Sequence, residues 1–219
     1  MSDRQPFRTV VLDVDSTLCG IEGIDWLAAR RGGDVAERVA LETEMSMRGE
    51  IPLEAVYGRR LSLVKPSREE IRLLAELYQK SLAEGAVEFI SKWSQGGIVV
   101  ALLTGGIRQA ILPLAMRLGI PEDRVHAVDI QFDEVGSYVG FDHTSPLTTA
   151  MGKRDILGSL SLPRPMLTVG DGSTDLATRD VADAFAAFTG FAARGPVMRH
   201  ADFVAASFND LDAIVSNGI

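Results

Sequence analysis

Three apolar runs in this chain end abruptly at polar clusters: Thr9 to Leu12, Ile98 to Leu103 and Met166 to Val169. None alternates with polar residues, so each predicts a strand buried on both faces, as in a parallel sheet. The first strand is expected over Phe7 to Val14. Val125 to Phe132 predicts another strand, and Ser137 to Phe141 can pair with it across Asp133-Glu134-Val135-Gly136, a hairpin signal. Ala184 to Phe188 and Phe203 to Ala206 predict short final strands, one of them at a sheet edge.

Helical spacing fills the intervals. Val35 to Met47 predicts a helix, and Pro52 suits the first turn of another. Ser67 with Glu70 three residues on is a capping box. It opens a helix in which Ile71, Leu74, Leu77 and Tyr78 share a face. Val87 to Ser94 is helical and stopped by Gly96-Gly97. Ile107 to Leu118 is helical, with Pro113 expected to kink it, and so is Lys153 to Leu160. Ile21 to Ala83 carries no strong strand signal, and about sixty helical residues exceed an ordinary crossover between strands. The expected architecture is α/β. A Rossmann-like, mostly parallel sheet core over 1–20 and 84–219 carries an inserted helical cap over 21–83.

Composition narrows the partners. The 219 residues, 46% hydrophobic, suit one large domain or one domain with an insertion. The net charge is −8 with no basic stripe, which argues against a nucleic-acid partner. A single cysteine, Cys19, leaves no intrachain disulfide and fits a reducing compartment. No apolar stretch approaches the roughly 20 residues of a membrane helix, and Met1 to Phe7 is polar, unlike a signal peptide. A cytoplasmic monomer or homodimer acting on a small phosphorylated metabolite is expected.

The chemistry lies in the polar clusters, since open α/β sheets bind ligands beyond the carboxyl ends of their strands. Asp13 and Asp15, two apart on an extended chain, point to the same side. Such carboxylates repel unless a cation or a shared proton relieves them. Mg²⁺ takes few protein carboxylates together with phosphate oxygens, and Asp171 can supply one more. Asp13 is then free to attack phosphorus. Asp15 can protonate the leaving oxygen and later deprotonate water. Thr104, with Gly105 and Gly106 behind it, offers a hydroxyl and close backbone N–H groups to phosphate oxygens. Lys153 at a helix start opposes the helix dipole, a placement explained if it pairs with Asp13 and the phosphate. In Gly170-Asp171-Gly172-Ser173-Thr174-Asp175, Asp175 suits a bond to metal-bound water or to Lys153, with Thr174 supporting. Taken singly, each cluster has a plainer reading: a turn or structural cation site, a capped Thr-Gly-Gly turn, a solvent lysine, an Asp helix cap. Together, in this order, they point to a site for a divalent cation and a phosphoryl group.

These motifs resemble those of the haloacid dehalogenase-like hydrolase superfamily, and from Val10 to about Val204 the chain is similar to its phosphoserine phosphatase family. The resemblance implies the haloacid dehalogenase-like fold, with Asp13 as nucleophile and Asp15 as acid/base. It implies Mg²⁺ held by Asp13, the backbone carbonyl of Asp15, and Asp171, with Thr104 and Lys153 on the phosphate. It also implies that Glu22 contacts a substrate amino group, and that Met47-Arg48-Gly49 and Arg60-Leu61 match the family's cap motifs. Arg60 would grip a carboxylate with two parallel bonds. Without the resemblance, Glu22 reads as an exposed helix residue and Arg60 as a surface cation. Leu53 stands where many members carry phenylalanine, and Ser173-Thr174-Asp175 where Ala-Asn-Asp is common. The implied activity is hydrolysis of O-phospho-L-serine to L-serine and phosphate, a step of serine biosynthesis, through an aspartyl-phosphate. Alternatives are a capped phosphatase for another small phosphomonoester such as a sugar phosphate, transfer to an acceptor other than water, and a phosphorylated signalling domain. The last needs neither a cap nor Asp15.

Overall fold

The computed structural model describes residues 5–219; of the polar start read over Met1 to Phe7, Met1 to Arg4 lies outside the described residues. The strands in chain order are β1 (Thr9–Leu12), β2 (Val99–Ile107), β3 (Val125–Val128), β4 (Ile130–Phe132), β5 (Tyr138–Phe141), β6 (Met166–Gly170), β7 (Ala184–Phe188) and β8 (Phe203–Ala205). Six of them form one sheet in the order β3-β2-β1-β6-β7-β8, every neighbouring pair parallel. The apolar runs explain this, because β1, β6 and β7 are buried at every position. β8 lies at one edge, as the sequence predicts, and β3 at the other.

The chain builds outward from β1 on one side, then returns to start β6 on the other. The order of strands therefore reverses beside β1, where α/β sheets open a crevice. Leu12 pairs with Leu102 on one flank and Val169 on the other, so the segments that follow all three leave the sheet at one edge.

Between β1 and β2, residues 21–83 hold four helices and no strand: α1 (Gly23–Ala29), α2 (Gly33–Met47), α3 (Tyr57–Val64) and α4 (Arg68–Lys80). The chain's exit and return are hydrogen-bonded to each other. Gly20 donates its N–H to the Ser81 carbonyl (2.8 Å) and Ala83 to Leu18 (2.9 Å). The capping box at Ser67 forms: Glu70 N–H reaches Ser67 Oγ (3.2 Å) and Ser67 N–H reaches Glu70 Oε2 (2.9 Å). Glu70 also holds Arg31 through two 2.6 Å bonds, tying the end of α1 to the start of α4. The remaining helices are α5 (Ala86–Gln95), α6 (Arg108–Arg117), α7 (Gly152–Ser159), α8 (Ser173–Leu176), α9 (Gly195–His200) and α10 (Phe208–Asn217). α5 and α10 pack through Trp93 and Phe208, whose rings stack at 6.0 Å, and α4 packs on α6.

Three expectations change. The strand expected over Val125 to Phe132 is two strands, β3 in the main sheet and β4 paired antiparallel with β5. The break falls at Asp129. There Gln109 of α6 donates to the Asp129 carboxylate (3.2 Å) and accepts the Ile130 N–H (3.2 Å), turning the chain out of the sheet. Pro52 precedes one 3₁₀ turn, Leu53–Ala55, rather than opening a helix; Val56 at φ −122° breaks the helical run before α3. β2 continues past Leu103 to Ile107, and its pairing with β3 slips between those residues. Thr104, Gly105 and Gly106 thus form an irregularity in a strand, a device that re-aims side chains.

Candidate active site

Asp13 follows β1 directly, and its N–H is held by the Val169 carbonyl of β6 (3.0 Å). The chain then coils tightly. Ser16 adopts φ +54°, a left-handed conformation uncommon for a residue with a Cβ. Its hydroxyl donates to Glu22 Oε1 (2.7 Å), so the loop after β1 carries Glu22 back to the Asp13-Asp15 pair. Thr104 in the irregular part of β2 is buried, and its Oγ1 accepts the Gly106 N–H (2.9 Å). At the end of β6, a Cβ on Gly170 would lie 2.1 Å from Asp175 Cγ. Only glycine lets the Asp175 carboxylate fold back under the strand.

These placements gather the charges. Lys153 Nζ lies 2.6 Å from Asp13 Oδ1 and 2.6 Å from Asp175 Oδ1, with all three side chains at most 7% exposed. Burial would lower the lysine's pKa, but the two carboxylates outweigh it and hold the ammonium above its usual range. Asp175 is pushed up to about 6, by burial first and then by the charge of Asp13. Asp13, Asp171 and Asp175 each offer a buried oxygen, and these lie within 4.8 Å of one another. Lys153, and Arg194 in ion pair with Asp171 Oδ2, set two cations against these three carboxylates. That donor set, all oxygen and partly uncompensated, fits a hard divalent cation.

Asp15 stands apart from that cluster. Its Oδ1 accepts the Gly23 N–H (2.8 Å) and the Tyr78 hydroxyl (2.7 Å). Burial, then the Asp13 charge, pushes its pKa up to about 7, with Tyr78 and Gly23 holding it back. A carboxyl poised there can give and take a proton near neutral pH.

A pocket opens over these groups, lined by Asp13, Asp15, Glu22, Arg60, Thr104, Gly105, Gly106, Lys153 and Thr174, with Met47, Leu53, Tyr57 and Leu147 as apolar walls. Arg60 is no surface cation: it is 4% exposed. Its Nη1 donates to Thr43 Oγ1 (2.6 Å), which in turn donates to Asp25 Oδ1 (2.6 Å), and its Nε has no partner among the described residues. A buried donor left open suits an anionic ligand. Glu22 is likewise no solvent carboxyl. Burial, then Asp15, pushes it up to about 8, so it would ionise readily only beside a cation. Gly49 does not line this pocket; at φ +75° it faces Ser173.

Four groups escaped the sequence reading. Tyr78 touches Asp15 from 63 residues away, and Asp25 and Thr43 stand behind Arg60. Arg194 is buried against Asp171, with Glu44 at 3.4 Å. None lies in a motif. Only the amphipathic pattern of α4 and a lone arginine before Gly195-Pro196 marked their neighbourhoods.

Comparison with known proteins agrees with this fold. Residues 10–178 match the model of the haloacid dehalogenase-like hydrolase family. The chain is 36% identical over 209 residues to the chloroplastic phosphoserine phosphatase of Arabidopsis thaliana, covering 93% of this chain and 70% of that one. It is 36% identical over 206 residues to the phosphoserine phosphatase of Bos taurus, covering 92% and 90%. Among solved structures, a phosphoserine phosphohydrolase-like protein from Francisella tularensis superposes with a TM-score of 0.85 at 22% identity, covering 94% and 98%.

Proposed function

Since this chain belongs to the haloacid dehalogenase-like hydrolases, and among them to the phosphoserine phosphatases, it is a phosphoric monoester hydrolase, and we propose that its substrate is O-phospho-L-serine and its cation Mg²⁺. One observation carries the substrate: the pocket above Lys153 and Asp13 holds a buried guanidinium with an open donor, Arg60, and a half-buried carboxyl, Glu22. These two charges complement the carboxylate and ammonium of an amino acid. Residues 21–83, which supply both, are read as the cap.

On this reading, Arg60 binds the substrate carboxylate and Glu22 its ammonium. Thr104 and Lys153 hold phosphoryl oxygens. The Asp13 carboxylate attacks phosphorus, and the bond from phosphorus to the serine oxygen breaks as Asp15 gives that oxygen its proton. Asp15, now a carboxylate, takes a proton from water; the water oxygen attacks the aspartyl-phosphate and frees Asp13. Mg²⁺ would be held by Asp13, the Asp15 carbonyl and Asp171, with Asp175 beside them, and supplies positive charge against the phosphoryl oxygens.

The test is phosphate release from L-phosphoserine, phosphothreonine, sugar phosphates, nucleotides and an aryl phosphate, each with Mg²⁺ and with chelator. A Mg²⁺-dependent preference for L-phosphoserine is expected. A sugar phosphate ranked first would overturn the substrate and turn attention to Leu53 and its neighbours. Transfer to an added alcohol in preference to water would identify a phosphotransferase.

A further inference from the structure

The two oxygens of Asp15 have different surroundings. Oδ1 accepts both the Tyr78 hydroxyl and the Gly23 N–H. Oδ2 is the oxygen beside Gly106 and Thr104: a Cβ on Gly106 would lie 2.8 Å from Ile111 Cδ1, 3.0 Å from Oδ2 and 3.2 Å from Thr104 Oγ1. Asp15, Thr104 and Gly106 all line the pocket. An oxygen already accepting two donors has little capacity left to carry a proton or to meet a ligand. We propose that Tyr78 is a positioning residue, whose hydroxyl locks the Asp15 carboxyl with Oδ2, the oxygen beside Gly106 and Thr104, as the atom that exchanges the proton. This rests on the reading of Asp15 as the acid/base given above.

The surroundings of Tyr78 are built for that contact. Its side chain is fully buried in the last turns of α4, and its carbonyl accepts the Cys19 thiol (3.4 Å), beside the paired exit and return of the cap segment. The hydroxyl occupies the space that a side chain at position 23 would take: a Cβ on Gly23 would lie 2.2 Å from it. Gly23 thus acts twice, leaving room for the hydroxyl and donating the second hydrogen bond. Tyr78 does not line the pocket, so it acts through Asp15 and not on the substrate.

An alkyl leaving group such as serine needs its proton delivered, whereas a nitrophenolate leaves without one. That difference separates positioning of the acid from a structural role. Tyr78→Phe removes only the hydroxyl. Its rate of phosphoryl transfer to the enzyme, measured by rapid quench, is expected to fall about tenfold or more for phosphoserine and to stay within about twofold for p-nitrophenyl phosphate, with KM for each little changed. Gly23→Ala tests the same contact with Tyr78 intact, should Tyr78→Phe not fold, and is expected to show the same selective loss. Combined with Tyr78→Phe it should add little, because the 2.2 Å contact with the hydroxyl is gone and the nearest ring atom, Cζ, stands 3.1 Å from the new Cβ. Equal losses on both leaving groups, or full additivity of the two substitutions, would overturn the inference while leaving the reaction intact. A wild type that shows no phosphoryl transfer from either ester would overturn the acid/base reading, and this inference with it.

Discussion

Glu22 and Arg60 are each unfavourable in isolation, and that is what makes them informative. Burial and the neighbouring Asp15 raise the Glu22 pKa from the usual 4.5 to about 8. The folded protein therefore binds more protons there than the unfolded chain, and stability is lost as pH rises from about 4.5 through about 8. Glu22→Gln is expected to raise the melting temperature of the ligand-free protein by several degrees at pH 8 and to leave it unchanged near pH 4; an equal effect at both would contradict the buried-carboxyl assignment. On the proposed reading Arg60→Ala removes a charge-assisted bidentate partner of the substrate, so kcat/KM for phosphoserine should fall by about 10- to 100-fold. An aryl phosphate, which lacks the carboxylate, should be affected little; similar losses on both would mean that Arg60 does not read a carboxylate. Asp13→Asn keeps the shape but removes the proposed nucleophile, and no acid-stable covalent phosphate should be trapped. At this scale the sequence was legible where chemistry is local. Asp13, Asp15, Thr104, Lys153, Asp171 and Asp175 are marked by the runs that precede them or by their own motifs. Tyr78, Thr43, Asp25 and Arg194 were not, because each acts across a distance that no local pattern encodes.

Among the elements, the start of α4 shows a local signal recruited into a tertiary contact. The Ser67-Glu70 box is readable from four residues, but the same Glu70 carboxylate also grips Arg31. The Arg31 bond is the main reason that its pKa falls to about 2. Here the sign is opposite to that of Glu22: the contribution is present above the usual 4.5 and lost as pH falls through about 2. Glu70→Gln should destabilise the protein by about 1–2 kcal/mol at pH 7, and the loss should shrink at pH 2–3 in urea melts. A pH-independent loss would assign the whole effect to the cap geometry. The strands were readable as runs of apolar residues, yet their ends were not. β2 continues through Thr104-Gly105-Gly106, since pairing with β3 resumes at Ile107 and Val128. Val125 to Phe132 divides because Gln109 of another element takes the backbone at Ile130.

Taken as a whole, the molecule holds Asp13, Asp171 and Asp175 together against Lys153 and Arg194, three carboxylates against two cations, an arrangement that a divalent cation should stabilise. A hundredfold excess of Mg²⁺ over its dissociation constant would add about 2.7 kcal/mol, read as a rise in melting temperature that chelator reverses and Asp171→Asn abolishes. The gain should be smaller at pH 5 than at pH 8, because Asp175, held at about 6, is then largely protonated and protons compete with the ion. No helix among the described residues is long and apolar enough to cross a membrane. By itself the sequence determined the α/β class, the parallel central strands, the helical segment after the first motif and the acids, threonine and lysine that the fold brings together in the candidate site. Those features arise from backbone periodicity, burial on both strand faces and chemistry confined to a few neighbouring residues. Only the tertiary structure decided which carboxylates share the cation-sized space, which oxygen of Asp15 meets Tyr78, and that Glu22 and Arg60 line one cavity. Those are matters of distance and desolvation between segments far apart in the chain, and they exist only once the sheet and helices have packed.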